Sequence, residues 1–543
     1  MNDKIIASKV LINGHIITME EESTSNTSIA ILDDTIIAIT SDKKINEYIS
    51  QDTEVIDLKG KTVLPGLIDP HGHFSFVAVS RKAYINASCY PIGDIKNISD
   101  LQNKLKDYVK NDNSNDPVIA IEFDDTLIDE YRMPTASDLD IVSTTRPVFV
   151  LHVSAHMLSA NTYAIEEAGI IDNSFNPEGG RVYYENGKAV GIFEEASAMA
   201  PFSKTLFNTL KFTRDLGYLR DASNYYLSKG ITTVCEGESN LKTSLLLENA
   251  VDNDIIKNRV ILCPHIESLS STPFEINYKD SLKIIDGPIK LFMDGSIQAY
   301  TAYLSKPYEK QHPTRPKPID YLGFPTLTKE QLKKSLENVL EINKQFAIHC
   351  NGDAALDDVI EIYQEVFDEN KRDKRSLIIH CQTARDDQLD KMKEIGLYPS
   401  FFPAHIYVWG DRHYNTFLGH ERGSRINPVG SALNKGLIYS LHNDAPVTNP
   451  DPLKLVWNAS SRVTSSNKIL GKDQRISVYD ALKGVTIYAA YQYHLEDKLG
   501  SLKVGKRADL TILEENPLEV PINHIKDIVI SSTWIDGKEI YRI

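Results

Sequence analysis

Two histidines stand two residues apart at the end of a short apolar run, Leu64-Pro65-Gly66-Leu67-Ile68-Asp69-Pro70-His71-Gly72-His73. Side chains alternate with period two along a strand, so His71 and His73 project from one face. Two neighbouring imidazoles at a strand end suit one divalent metal ion. An H-x-H alone is short, and it equally describes a strand with two incidental histidines. Other ligand-bearing residues recur, however, where later apolar runs end. Lys290 is followed by Asp294, and His349, His380 and Asp444 each close or follow a run of their own. Histidine and aspartate together are ligands for zinc or a similar divalent ion.

The elements that must position these residues are apolar, β-rich runs at Gly66–His73, Pro147–His152, Ile231–Cys235, Ile289–Met293, Gln345–Cys350, Leu377–Cys381, Leu397–Phe402 and Leu437–Asp444. Helical patterns intervene, among them Lys329–Lys344, Ala354–Glu369 and Asp386–Ile395, with another near Tyr479–Leu495. Runs that are apolar on both faces are those of parallel strands covered by helices. Eight of them alternating with helices predict an α/β (β/α)8 TIM barrel, whose strand ends converge on one mouth where active sites are built. Taken singly, His349 and His380 also read as core histidines, Asp444 as a helix cap in Asp444-Ala445-Pro446-Val447, and Lys290 as a polar group at the mouth. Their joint order along the strands favours one site.

Residues 1–64 read as short strands. Hairpins are expected at Val10–Ile12/His15–Thr18 around Asn13-Gly14 and at Ser28–Leu32/Thr35–Ile39 around Asp33-Asp34. The runs Asp509–Leu513 and Ile528–Ile535 have the same texture. Neither end holds enough strand for its own core, so 1–64 and 497–543 are expected to form one small β-sandwich domain. The barrel then spans 65–496, with an α+β insertion at about 74–225. That insertion carries the turn signals Pro177-Glu178-Gly179-Gly180 and Glu185-Asn186-Gly187 and the strands Val118–Phe123 and Val182–Tyr184.

A chain of 543 residues, 41% hydrophobic and 25% charged, has ample material for a globular core. Its net charge of −16 argues against a nucleic-acid partner held by phosphate neutralisation. The five cysteines are scattered, with no C-x-x-C, which favours a reducing compartment over a disulfide framework. No apolar run approaches the ~20 residues of a membrane helix, and the first residues lack a signal-peptide pattern. A cytoplasmic protein acting on a small molecule is expected, with a homo-oligomer left open.

The order of candidate ligands resembles the amidohydrolase superfamily. The segments Leu58–His71 and Gly500–Leu510 are similar to the family's first-strand signature and its C-terminal return into the β-domain. Ile289–Ser296, His349–Ala354 and Asn443–Val447 resemble amidohydrolase family 3, the branch that includes N-substituted formamide deformylases. So do Arg132–Thr135 and Gly191–Ala196. The resemblance implies a metal-dependent hydrolase of a non-peptide carbon–nitrogen bond, with one or two divalent ions, zinc foremost. His71 and His73 would bind the more buried ion, and His349 and His380 a second one. Lys290 would bridge them as a carbamate, because an unmodified lysine offers only donors and a positive charge. Asp444 would bind metal and act as general base. One departure is His442-Asn443, which precedes Asp444 where the family more often has a small residue or serine; alternation puts His442 on Asp444's face but deeper, so it reads as packing in the strand, with a substrate contact as the alternative.

Substrate contacts are sought in loops at the strand ends: His156, Asp294, Tyr300, His405 and Arg425, with Trp409 and Asp411 as weaker candidates. Arg425 reads either as a partner for a substrate carboxylate or as a structural salt bridge. Cys350 and Cys381 follow ligand histidines and are expected to turn into the core. The rival functions are a deaminase or an ester hydrolase on the same site. A non-catalytic scaffold that keeps the fold is disfavoured, because all six ligand positions are filled.

Overall fold

The computed structural model describes residues 5–20, 27–170, 172–177, 180–208, 216–270, 282–313, 317–367 and 374–543. Eight parallel strands carry the ligand-bearing ends: β1 (Leu67–Ile68), β2 (Ile231–Ser239), β3 (Arg259–Pro264), β4 (Ile289–Phe292), β5 (Phe346–Cys350), β6 (Leu377–His380), β7 (Tyr398–Phe401) and β8 (Ser440–Leu441). They lie in two sheets. One runs β3-β2-β1, with Ile284–Asp286 beyond β3, and the other runs β4-β5-β6-β7-β8. Every pairing within them is parallel. Such strands are buried on both faces, and β3 and β6 hold no exposed residue.

The two sheets touch at both edges. A parallel bridge pairs His265, beyond β3, with Lys290 on β4. Past β8, Asp444 N donates to the His71 carbonyl at 3.1 Å, and His73 N donates to the Ala445 carbonyl at 2.7 Å. These bonds hold the two most separated parts of the candidate site, His71–His73 and Asp444, in fixed register. Helices Lys329–Glu341, Asp353–Val366 and Asp386–Ile395 follow β4, β5 and β6 and bury their apolar stripes. The end of the run expected at Ala354–Glu369 lies outside the described residues, as do Glu178 and Gly179 of the turn expected at Pro177–Gly180.

One strand expectation is corrected and one strand is added. Pro147–His152 does not join the parallel set. Val148–His152 sits in a mixed six-stranded sheet with Ile85–Asn86, Val118–Phe123, Met157–Ala160, Arg181–Glu185 and Lys188–Glu194. Its place between β1 and β3 is taken by Ile231–Ser239, and Arg259–Pro264 is the strand that sequence reading missed. Both runs are apolar on each face, so periodicity cannot say which sheet receives them.

Strands from both ends of the chain share one five-stranded sheet: His15–Ile16, Thr62–Pro65, Leu510–Leu513, Ile530–Ile535 and Lys538–Arg542. A second sheet holds Lys9–Ile12, Ser28–Leu32, Thr35–Thr40 and Glu54–Asp57. The hairpin expected at Asn13-Gly14 is absent. Lys9–Ile12 pairs with Ser28–Leu32 and Glu54–Asp57, while His15–Ile16 pairs with Thr62–Pro65. The turn, with Asn13 at φ 56°, passes the chain from one sheet to the other.

The C-terminal strands also neutralise the start of β3. The buried Arg259 guanidinium donates to Asp509 at 2.7 and 2.9 Å and to Asp536 at 2.6 Å. Deleting residues 504–543 removes three of the five strands and both carboxylates. An uncompensated buried charge alone costs ~3–5 kcal/mol, so the truncated chain is expected to be insoluble or unfolded. A soluble product with a cooperative melt in circular dichroism would contradict this.

Candidate metal centre

His71 and His73 follow β1, and Asp444 follows β8. His71 Nε2, His73 Nε2 and an Asp444 carboxylate oxygen all lie within 4.8 Å of one another. Asp444 Oδ1 stands 3.4 Å from His73 and 3.6 Å from His71. That oxygen is buried yet makes no hydrogen bond, although buried polar atoms are almost always paired. Two imidazole nitrogens and an unpaired carboxylate oxygen facing one point fit a divalent cation.

Lys290 Nζ approaches His71 Nε2 to 3.3 Å. His380 Nε2 is 3.9 Å from Asp444 Oδ2, and the His349 and His380 rings are 4.7 Å apart. All six sequence candidates therefore lie in one contact network, but the compact three-ligand group comprises His71, His73 and Asp444. His349 turns Nδ1 toward Asp294, at 3.3 Å. Asp444, His380 and Cys381 have φ of 52°, 71° and 48°. Left-handed backbone is uncommon outside glycine, and strained residues of this kind cluster at functional sites.

Electrostatics separate the ligands. Burial would raise the Asp444 carboxyl, but the close approach of His73 and the imidazoles of His380 and His71 hold it well below its usual range. Burial lowers His71, and Lys290 adds to the effect. Burial and the neighbouring His349 lower His380, and burial lowers Lys290. His73 moves upward because Asp444 outweighs its desolvation. The site thus holds a charged carboxylate beside His71 and His380, both biased toward the neutral form that metal ligation needs, while Asp444 biases His73 toward the charged form, whose proton a bound cation would replace.

Asp444 does not cap a helix. The next helix begins at Pro452, and its cap is Asp451, whose side chain accepts Lys454 N. Sequence reading missed Gly237, just after the apolar part of β2. Its N–H donates to the Gly72 carbonyl at 2.7 Å, and a Cβ there would stand 2.6 Å from His71 Cε1. Only glycine lets the backbone pass under the imidazole.

The loop candidates separate clearly. Asp294 accepts from the backbone N–H groups of Asn351, Gly352 and Tyr303 at 2.9, 2.7 and 3.0 Å, and so organises the loop after β5. Arg425 bonds the Ala384 carbonyl at 2.8 Å and pairs with Asp386, which is the structural salt-bridge reading. Tyr300 is buried against Tyr308, His312 and Phe417. His156 pairs with Glu195 at 3.0 Å beside the six-stranded sheet. His405 is buried beside the centre, its ring 6.2 Å from that of His380. Trp409 donates to Asp124 at 2.7 Å, and Asp411 bonds Ser466. Cys350 and Cys381 are buried in the apolar core.

A second polar cluster escaped sequence reading. His152 Nε2 lies 3.4 Å from Asp125 and 3.8 Å from Asp124. The strand-end argument applied to Val118–Phe123 and Val148–His152, which are parallel neighbours, would have found it. Burial opposes charge on His152, but the two carboxylates push its pKa from 6.5 up to about 9. Protonated His152 therefore favours the folded chain below pH 6.5, and that contribution is lost as pH rises through 9. It amounts to roughly 3 kcal/mol. The difference in melting temperature between wild type and His152→Gln should shrink between pH 6.5 and 9.5 or so. A constant difference would refute the ion-pair description.

Comparison with known proteins assigns the family. The model of the amidohydrolase family matches residues 54–541. The chain belongs to the amidohydrolase family. This amidohydrolase is 25% identical over 540 residues to the N-substituted formamide deformylase of Arthrobacter pascens, covering 97% of each chain. Among solved structures it resembles an uncharacterised metal-dependent hydrolase from Pyrococcus horikoshii, with TM-score 0.74, 24% identity, and coverage of 95% of this chain and 99% of the other. It also resembles an adenosine deaminase from Xanthomonas campestris with bound zinc, with TM-score 0.52 and 10% identity, covering 98% and 93%. At those identities the two structures speak to fold alone. Among the described residues, no helix of the amidohydrolase is long and apolar enough to cross a membrane.

Proposed function

We propose that this amidohydrolase is a metal-dependent hydrolase that cleaves a non-peptide carbon–nitrogen bond of amide type in a small molecule. The observation that carries the reading is the unpaired, buried Asp444 Oδ1 facing His71 Nε2 and His73 Nε2. Those residues would hold one divalent ion, and two nitrogens with one carboxylate suit zinc. His349 and His380 would hold a second, with Lys290 between them as a carbamate. Burial favours the neutral amine that carboxylation requires. A bound ion supplies Lewis-acid activation of water and of the scissile carbonyl.

The chain's own residues do the rest. Asp444, ionised at neutral pH, takes a proton from the attacking water as the carbon–oxygen bond forms. It returns that proton to the leaving nitrogen as the carbon–nitrogen bond breaks. Gly237 and Glu236 hold the first histidine pair. The Glu236 carboxylate accepts Ser75 N at 2.7 Å and Ser75 Oγ at 3.0 Å, beside the isolated bridge from Glu236 to His73. His405 packs beside His380, against Phe402 and Trp409, and His156 and Tyr300 belong to the surrounding loops.

The eight parallel strands that touch at both edges support a closed (β/α)8 barrel over 65–496, with the six-stranded sheet as its insertion. The sheet shared by both termini supports a β-sandwich unit of 1–64 and 497–543. All five cysteines are free and buried, which fits the cytoplasm.

The test is metal analysis of the purified chain together with turnover assays on N-formyl, N-acyl and cyclic amides, esters and aminopurines. Amide hydrolysis lost on chelation and restored by zinc is the expected result. Release of ammonia from aminopurines alone, or ester cleavage alone, would overturn the amide reading.

A further inference from the structure

His442, two residues before Asp444, has a fully buried side chain. The ring lies among the proposed ligands, its centroid 5.1 Å from that of His380 and 5.2 Å from that of His71. His442 Nε2 is 3.2 Å from His380 Nδ1, and His442 Nδ1 is 2.8 Å from Ser400 Oγ. Ser440 Oγ–H donates to Ser400 Oγ at 2.8 Å. A row of four polar side chains thus runs from β7 and β8 to His380, whose other nitrogen faces Asp444 at 3.9 Å.

A neutral imidazole carries its proton on one nitrogen and a lone pair on the other. The row can therefore run in two directions. If His442 donates to His380 Nδ1, the His380 proton sits on Nε2 and closes that nitrogen to a cation. If His380 donates from Nδ1, its Nε2 lone pair faces the centre. His442 then accepts at Nε2 and donates from Nδ1 to Ser400 Oγ. A hydroxyl oxygen has two lone pairs, so Ser400 can receive both His442 and Ser440. Partners that orient a ligand's far nitrogen in this way typically contribute 10–100-fold to metal affinity.

We propose that His442 is a positioning residue. It accepts the Nδ1–H of His380, Ser400 anchors it, and His380 Nε2 is thereby held as a ligand atom toward Asp444. The inference rests on the metal-centre reading and deepens it. A space-filling role is the rival, since His442 also stacks on Phe402 at 5.4 Å.

Zinc alone is titrated into chelator-stripped full-length protein against a competing chelator, for wild type, His380→Ala, His442→Leu, His442→Gln and Ser400→Ala. The zinc lost in His380→Ala defines the binding that depends on His380. His442→Leu keeps bulk but no acceptor, and should weaken that binding ~10–100-fold. Glutamine restores an acceptor near the Nε2 position and should recover most of the affinity. Ser400→Ala, a smaller change, should give a partial loss, and it decides the matter if His442→Leu does not fold. Equal zinc affinity in wild type, His442→Leu and Ser400→Ala overturns the proposal while leaving the metal centre standing. Equal losses in the leucine and glutamine variants overturn it in favour of packing. A wild type that binds no zinc, or a His380→Ala variant that binds as much as wild type, overturns the underlying ligand assignment instead.

Discussion

Asp444→Asn is expected to lower kcat by at least ~10²–10⁴-fold, the usual contribution of a positioned general base, with metal content largely retained. The substitution is unusually clean. Asp444 has φ 52°, a conformation that asparagine tolerates as readily as aspartate, so the backbone has no reason to move. The amide oxygen remains a weak ligand at the position of Oδ1, and the side-chain volume is unchanged. What disappears is the charge and the capacity to carry a proton from water to the leaving nitrogen. The competing role as a helix cap, for which asparagine would serve equally well, has no support in the fold, because Asp451 caps the following helix. Measuring kcat, bound metal and melting temperature on one preparation separates the outcomes. Near-normal kcat would remove Asp444 from the chemistry. A parallel loss of metal and kcat would make it a ligand first.

Much of the centre was legible because of where it sits. His71, His73, Lys290, His349, His380 and Asp444 occur on or just after apolar runs, and parallel strands deliver their ends to a common side. What was not legible depends on information that periodicity does not carry. Val148–His152 and Arg259–Pro264 are alike in apolar texture, yet one entered the six-stranded sheet and the other became β3. A run buried on both faces records burial but not its neighbours. Asn13-Gly14 reads as a hairpin turn, since both residues accept left-handed backbone. The same freedom lets the chain step between sheets, and only tertiary pairing chooses. His442 was placed on the Asp444 face but deeper, and the fold buries it completely. Its bond to His380 follows from a rotation of two side chains that no spacing rule encodes. Arg425 and Asp294 illustrate the same limit. Their residue types suit substrate contact, while their actual partners, Asp386 and three backbone amides, come from loops distant in sequence.

Removing both imidazoles of the first pair, His71→Ala with His73→Ala, should abolish turnover and reduce zinc affinity by well over ~10²-fold, the upper effect of merely disturbing a ligand's partner. The rival description is a buried ion pair between Asp444 and a protonated His73, with no metal involved. Both descriptions predict a less stable variant, since breaking a buried pair leaves Asp444 uncompensated at a cost of ~3–5 kcal/mol. Stability alone therefore does not discriminate, but its response to metal does. A ligand that binds only the folded chain adds ~2.7 kcal/mol at one hundred times its Kd. Wild type should melt several degrees lower after chelation and recover with zinc, whereas the double variant should lose the part of that response that the first histidine pair supplies. The unpaired Oδ1 of Asp444 favours the metal, because an ion pair would draw His73 Nε2–H into a normal hydrogen bond rather than leave it at 3.4 Å. A wild type whose melting temperature ignores both chelator and zinc would return the three residues to the role of a buried charge cluster and leave the amidohydrolase without its proposed chemistry.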